Sequence, residues 1–164
     1  MDTNQTGTDP VPSRPRLKGY GAPVDQDTLL EWAGVSEQLA EARNYWVGTS
    51  DPDGRPHAVP VWGVWIDDAL YFDGAPQARW VRNLAVNPQV VVHLESGDRV
   101  VIVEGEVERL ELLPATVLPR VAAQSEAKYG GTFEDVGCLA LRPRVVFAWS
   151  NFPADATRFE FDTA

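Results

Sequence analysis

Between Asn44 and Phe161 the chain alternates stretches of β-branched and aromatic residues with short clusters of Asp, Gly, Pro and Asn. NYWVGTS, HAVPVWGVWI and ALYFDG are separated by DPDGRP and by Asp67–Asp68. VVVHLE and DRVVIVEGEVERLEL flank SGD, and LALRPRVVFAWS and ATRFEF follow near the end. Strand-forming runs joined by such turns read as successive hairpins. A meander of six or seven antiparallel strands leaves edges that must be closed or packed. The expected fold is therefore mainly β: a β-barrel with flanking short helices, although a β-sandwich would satisfy the same strand count.

Three segments interrupt the β pattern. Leu29, Leu30, Trp32, Ala33, Leu39 and Ala40 recur near helical spacing, which predicts one broken helix or two short ones, with Asp27 or Ser36 as N-cap. PQARWVRNLAVNPQ predicts a short helix with Trp80 and Leu84 on one side and Arg79 and Arg82 three apart on another. LLPATVLPRVAAQSEAKYGG predicts a helix that contains Pro119 and stops at two glycines. Residues 1–24, with Pro10, Pro12, Pro15 and Pro23, read as a flexible N-terminal segment or an arm draped on a partner, and residues 25–164 as a single domain.

The formal charge of −10 argues against a nucleic-acid surface, which needs clustered Lys and Arg. Grouped arginines stand out against that background. No apolar run reaches the length of a membrane span, and the polar, Pro-rich start lacks the apolar stretch of a secretory signal, so a cytoplasmic location is expected. The single cysteine, Cys138, sits in an apolar strand and reads as inert core. His57 and His93 have no Cys, Asp or Glu at ligand spacing, so no metal site is expected. No nucleophile elbow, Walker loop or dinucleotide fingerprint is present. Any catalysis must then come from a bound cofactor, with the protein positioning it.

Two constellations remain. In YFDGAPQARWVRNL a strand ends at Gly74 just before a helix bearing Arg79 and Arg82. A helix start with two arginines suits a phosphate, and Gly74 would let backbone approach a ligand; ordinary solvated helix arginines give the same spacing. In VPVWGVW, Pro60 and Gly63 interrupt a strand, which marks an edge, a bulge or a ligand-facing stretch. A barrel corner lined with core aromatics fits as well.

These stretches resemble the pyridoxamine 5′-phosphate oxidase-like proteins, and within them the actinobacterial flavin/deazaflavin oxidoreductases. The likeness runs through NYWVGTSDPDGRPHAVPVWGVWIDDALYFDG, RWVRNLAVNPQVVVHLESGDRVVIVEGEVE and LRPRVVFAWSNFPADATRFEF. It implies a split β-barrel forming a homodimer, with two sites for FMN or coenzyme F-420 at the interface. By position, Pro60, Val61 and Trp62 would lie along the cofactor ring, and Phe72, Asp73 and Gly74 would approach it through backbone. Arg79, Arg82 and Asn83 would hold the phosphate. Many relatives have Lys where this chain has Trp80, so Arg79 would replace that contact. Trp149 to Asn151, with Arg158 and Phe159, would border the pocket from the partner subunit.

No C-terminal Arg and His pair of the kind that holds the vitamin B6 phosphate is found, which argues against pyridoxamine phosphate oxidation. The resemblance favours coenzyme F-420 slightly over FMN. The leading expectation is hydride transfer from the reduced cofactor to a conjugated small-molecule substrate, with His93 as a candidate proton donor. A non-enzymatic cofactor-storage protein and a haem-binding barrel using His57 or His93 are the alternatives.

Overall fold

The computed structural model describes residues 9–20, 27–131 and 137–162. Its elements are β1 (Val11–Ser13), α1 (Trp32–Glu41), β2 (Tyr45–Ser50), β3 (Pro56–Val61), β4 (Gly63–Ile66), β5 (Ala69–Phe72), α2 (Arg79–Val86), β6 (Gln89–His93), β7 (Val100–Arg109), α3 (Leu118–Tyr129), β8 (Leu139–Trp149) and β9 (Thr157–Glu160). Every strand pairing is antiparallel. β2 pairs β3 on one side and β6 on the other, β6 pairs β7, β7 pairs β8, and the start of β8 pairs β5, which pairs β4. Only Trp62 separates β3 from β4. That covalent corner brings the two ends of the pairing path together into a barrel, β3 and β4 being joined there by the chain rather than by a ladder.

β8 is long enough to serve two partners on one edge. Leu139–Leu141 pair with β5, whereas Val145–Ala148 pair with β9, so the sheet forks between them. Pro143, which has no N–H to give to a ladder, sits at the fork. Across from it the β7 register slips between Glu104 and Gly105. A Cβ on Gly105 would lie 2.1 Å from the Arg142 carbonyl oxygen, so the two backbones can approach this closely only at glycine.

Inward residues of the strands, among them Val47, Trp65, Phe72, Val92 and Val146, form the barrel interior. Trp32, Val35 and Leu39 of α1 and Trp80, Val81 and Leu84 of α2 join the same cluster. A second cluster lies outside the barrel, where Val121 of α3 covers Val64, Ile66, Tyr71 and Ala140. The outer face of β2, β3, β6, β7 and the second half of β8 has no such cover among the described residues.

The barrel agrees with the sequence expectation, and several details correct or refine it. The described residues form nine strands rather than six or seven. HAVPVWGVWI breaks at Trp62 into two strands, and Val11–Ser13, within the segment read as flexible, pair with β9; residues 1–8 and 21–24 of that segment lie outside the described residues. A single helix, α1, follows Glu31 at the N-cap position rather than Asp27; Ser36 lies inside it, accepting a hydrogen bond from Trp65 Nε1 at 3.0 Å. Pro119 falls in the first turn of α3, where its missing N–H costs nothing, and Gly130 ends that helix at φ 68°. No helix among the described residues is long and apolar enough to cross a membrane.

Candidate functional site

The uncovered outer face carries a groove of about 760 Å³. Strand register explains its floor. Ala58 stands opposite Gly48, Gly48 opposite Val91, and Val91 opposite Glu104. Successive small side chains on β3 and β2 leave a flat depression beside Val91, which is 38% exposed. A Cβ on Gly48 would come 2.7 Å from Val91 Cγ1. His57, His93 and Arg144 add polar groups at the rim. The His93 ring lies nearly parallel to Trp46, with centroids 6.3 Å apart. Its Nδ1 is 2.8 Å from the Leu94 carbonyl oxygen, an acceptor, so this nitrogen makes a hydrogen bond there when it carries a proton.

Helix α2 is tied to one end of this groove. Asn83 is 4% exposed and donates from Nδ2 to Thr49 Oγ1 at 3.0 Å, and Asn87 donates to Ser50 Oγ at 3.3 Å. Thr49, Ser50 and Asn87 all line the groove. Arg79 and Arg82 project from the same helix and are exposed. Arg79 reaches Asp51 at 3.2 Å. Asp51 also accepts the backbone N–H groups of Arg55 and Asp53. The Arg55 N–H foremost, then the Asp53 N–H, the Arg55 charge and the Arg79 contact, hold this carboxyl below the usual range.

A second groove, of about 700 Å³, lies on β7, β8 and β9 beside the N-terminal strand. Phe147, Trp149 and Phe152 give it an aromatic wall, and Arg14, Arg16 and Arg158 line it as well. Arg14 is anchored to the carbonyls of Ala154 and Ala156 and to Thr28, while Arg158 pairs with Glu160 at 2.8 Å.

A sequence model of the pyridoxamine 5′-phosphate oxidase family matches residues 33–150. The chain belongs to this family. Solved structures of similar fold include a conserved hypothetical protein of Mycobacterium tuberculosis, at 24% identity and TM-score 0.61, covering 76% of this chain and 88% of that one. The haem storage protein HutZ of Vibrio cholerae matches at 21% and 0.57, over 71% and 93% of the two chains. An F420 reductase matches at 23% and 0.50, over 67% and 94%. A comparison with curated proteins gave no significant match.

In this member of the pyridoxamine 5′-phosphate oxidase family, the residues expected at the site divide by the direction in which they point. Pro60 and Trp62 face outward, whereas Val61 is buried in the barrel. Phe72 is fully buried and stacks on Trp80, with centroids 5.9 Å apart. Asp73 is exposed. The space in front of Gly74 is taken by the chain itself: a Cβ there would lie 2.2 Å from Trp80 Cζ2. Asn83 spends its amide on Thr49 instead of facing outward, and Phe159 is core. Trp149 and Arg158 line the second groove, and Asn151 lies in the loop after β8, its N–H bonded to Asp155. Gly48, Thr49, Ala58 and Arg144 were not singled out from sequence, because their convergence depends on strand register.

Proposed function

We propose that this protein is a cofactor-dependent oxidoreductase that binds coenzyme F-420, or alternatively FMN, in the groove over Gly48 and Ala58 and passes hydride to a conjugated small molecule. The observation that carries this reading is the flat, small-residue floor beside an arginine-bearing helix. A groove of about 760 Å³ falls in the size range of small-molecule sites. Gly48 and Ala58 leave room for a planar ring, and Arg79 and Arg82 on the tethered helix would meet its phosphate. The cofactor would supply the redox chemistry. The chain's own residues would bind, orient and exclude water, with His93 at the rim as the group able to hold a proton. Coenzyme F-420 is favoured for the resemblance to the actinobacterial deazaflavin enzymes, and an F420 reductase shares the fold.

The reading includes a homodimer. Val91 lies exposed, and Trp46, Ile102, Phe147 and Trp149 only half-buried, on the face that no helix among the described residues covers. A second copy seated there would bring its aromatic groove, with Trp149 and Arg158, against the first copy's floor and shut out water. A haem-storage reading has one observation in its favour: His57 and His93 line the same groove.

Titration with F-420 and with FMN, followed by ring absorption and fluorescence, tests the proposal. Arg82→Ala should weaken binding by about 1.5–3 kcal/mol, roughly 10- to 150-fold. Arg79→Ala should cost less, since that side chain is shared with Asp51. Unchanged affinity in both variants would place the phosphate elsewhere. Failure of either cofactor to bind, with a haem absorption band lost in His93→Ala, would favour the haem reading.

A further inference from the structure

Where β3 gives way to β4, Trp62 turns outward and is 55% exposed, outside both hydrophobic clusters. Its indole lies flat on Tyr129, the last residue of α3, with centroids 4.6 Å apart and 9° between the planes. The Arg43 guanidinium is 5.7 Å from the Trp62 centroid and 5.4 Å from that of Tyr129. Nearly equal distances put the cation at the edge of the stack and, among the described residues, leave the outer face of the indole open.

This stack is held firmly. The Tyr129 hydroxyl lies 2.7 Å from the Arg43 carbonyl and 2.9 Å from that of Gly63, and it accepts the Gly63 N–H at 3.1 Å. Lys128 donates from Nζ to the Ala42 carbonyl, the Tyr45 hydroxyl and the Gly63 carbonyl at 2.8, 3.0 and 3.3 Å. Arg43 Nη1 donates to the Lys128 carbonyl at 2.6 Å. Every one of these acceptors is a neutral oxygen. Elsewhere Arg55, Arg79, Arg120, Arg144 and Arg158 each pair with a carboxylate. In a chain of net charge −10 this corner therefore holds two cations with no carboxylate partner among the described residues.

An open indole face accepts a flat π-system, and a guanidinium at its edge accepts a carboxylate through its remaining N–H groups. We propose that Trp62, Tyr129 and Arg43 form a docking platform for a planar conjugated carboxylate. Trp62 comes directly after β3 and is exposed like Ala58 and Pro60 before it, so the platform continues the line of the cofactor groove. Naming its ligand as the substrate rests on the oxidoreductase reading; the platform itself does not.

The test uses the full chain with 2-naphthoate and its uncharged counterpart 2-naphthamide, measured by titration calorimetry with and without saturating F-420 or FMN. Naphthoate should bind about tenfold more tightly than the amide. Trp62→Ala should weaken both by about 3- to 10-fold. Arg43→Gln should remove the preference for the acid and leave the amide unchanged. Arg43→Lys, which keeps the charge and loses the planar fork, should restore part of it. Circular dichroism on each variant separates lost binding from lost folding. No naphthoate binding, binding insensitive to Trp62→Ala, or an acid preference that survives Arg43→Gln would overturn the platform. Failure of F-420 and FMN to bind the unmodified chain would instead overturn the oxidoreductase reading alone.

Discussion

Gly74→Ala separates two roles that one glycine can play. The added Cβ would lie 2.2 Å from Trp80 Cζ2, 2.5 Å from Cη2 and 2.8 Å from Val81 Cγ2. Ordinary carbon contacts begin near about 3.5 Å, so the indole must retreat by more than about 1 Å. Trp80 is 8% exposed and stacked on a fully buried Phe72, which leaves little room to retreat. Overpacking of this kind costs about 1–3 kcal/mol. It works against the gain of about 0.4–1 kcal/mol that alanine brings where its backbone is allowed. The net cost is then at most about 2.6 kcal/mol, and at about 2–4 °C per kcal/mol in a domain of this size a drop of up to roughly 10 °C is expected. The assay is thermal unfolding by circular dichroism without cofactor, at fixed protein concentration. In a Trp80→Ala background, itself costing about 3–5 kcal/mol, the penalty of Gly74→Ala should vanish, because the two substitutions share one space. Cofactor-free stability changed by less than about 0.5 kcal/mol, together with lost cofactor affinity, would refute this reasoning and return Gly74 to the role of a ligand-facing glycine.

Burial pushes the Lys128 ammonium down to about 8 from an ordinary value of 10.5. Between those values the unfolded chain binds more protons than the folded one, so this residue's contribution to stability rises with pH from about 8 to about 10.5 and is flat below 8. Reductively ¹³C-methylated protein should show the Lys128 titration by NMR, assigned by its loss in Lys128→Arg; a Lys128 midpoint above 10 would contradict the buried, oxygen-bound geometry. Gly105→Ala should open the β7–β8 fork, since its Cβ would meet backbone 2.1 Å away rather than a movable side chain. A loss of about 3 kcal/mol or more is expected in urea unfolding, and a loss under about 0.5 kcal/mol would show that the fork is not fixed at that residue.

The barrel was legible in the sequence because one buried and one outward face impose a period of two on each strand, and because Asp67–Asp68 and Ser96–Asp98 carry turn chemistry between such runs. Asp67 and Asp68 do adopt positive φ, at 49° and 56°. What the pattern does not carry is which strand a residue meets. The corner at Trp62 and the fork at Pro143 depend on β5 pairing with the start of β8, far along the chain, while β9 takes the rest of that edge, and neither leaves a local mark beyond a Pro or Gly in a strand. Val11–Ser13 hydrogen-bond through backbone and bury little side chain, so composition reads the segment as loose.

The site was legible only where a single element carries it. Arg79 and Arg82 are three apart on one short helix and do share its exposed side. Asn83, one residue further, falls on the buried side and becomes a tether to Thr49, a distinction that depends on where α2 is anchored. A glycine cleared for a ligand and one cleared for a neighbouring indole are the same letter, so Gly74 carries no signal to separate them. The platform at Trp62 joins three segments, the end of α3, the link before β2 and the β3–β4 corner, which no local pattern connects. The two halves of the barrel's outer surface make the same point about function. Where α3 supplies cover, the outward residues are Val64, Ile66 and Tyr71, and they are core. Where no helix does, the outward residues include Trp46, Ile102, Phe147 and Trp149, side chains that a solvated sheet face has no reason to present. On the proposed dimer, closing that face and drying the cofactor groove are one event, so cofactor affinity and subunit association would be thermodynamically linked.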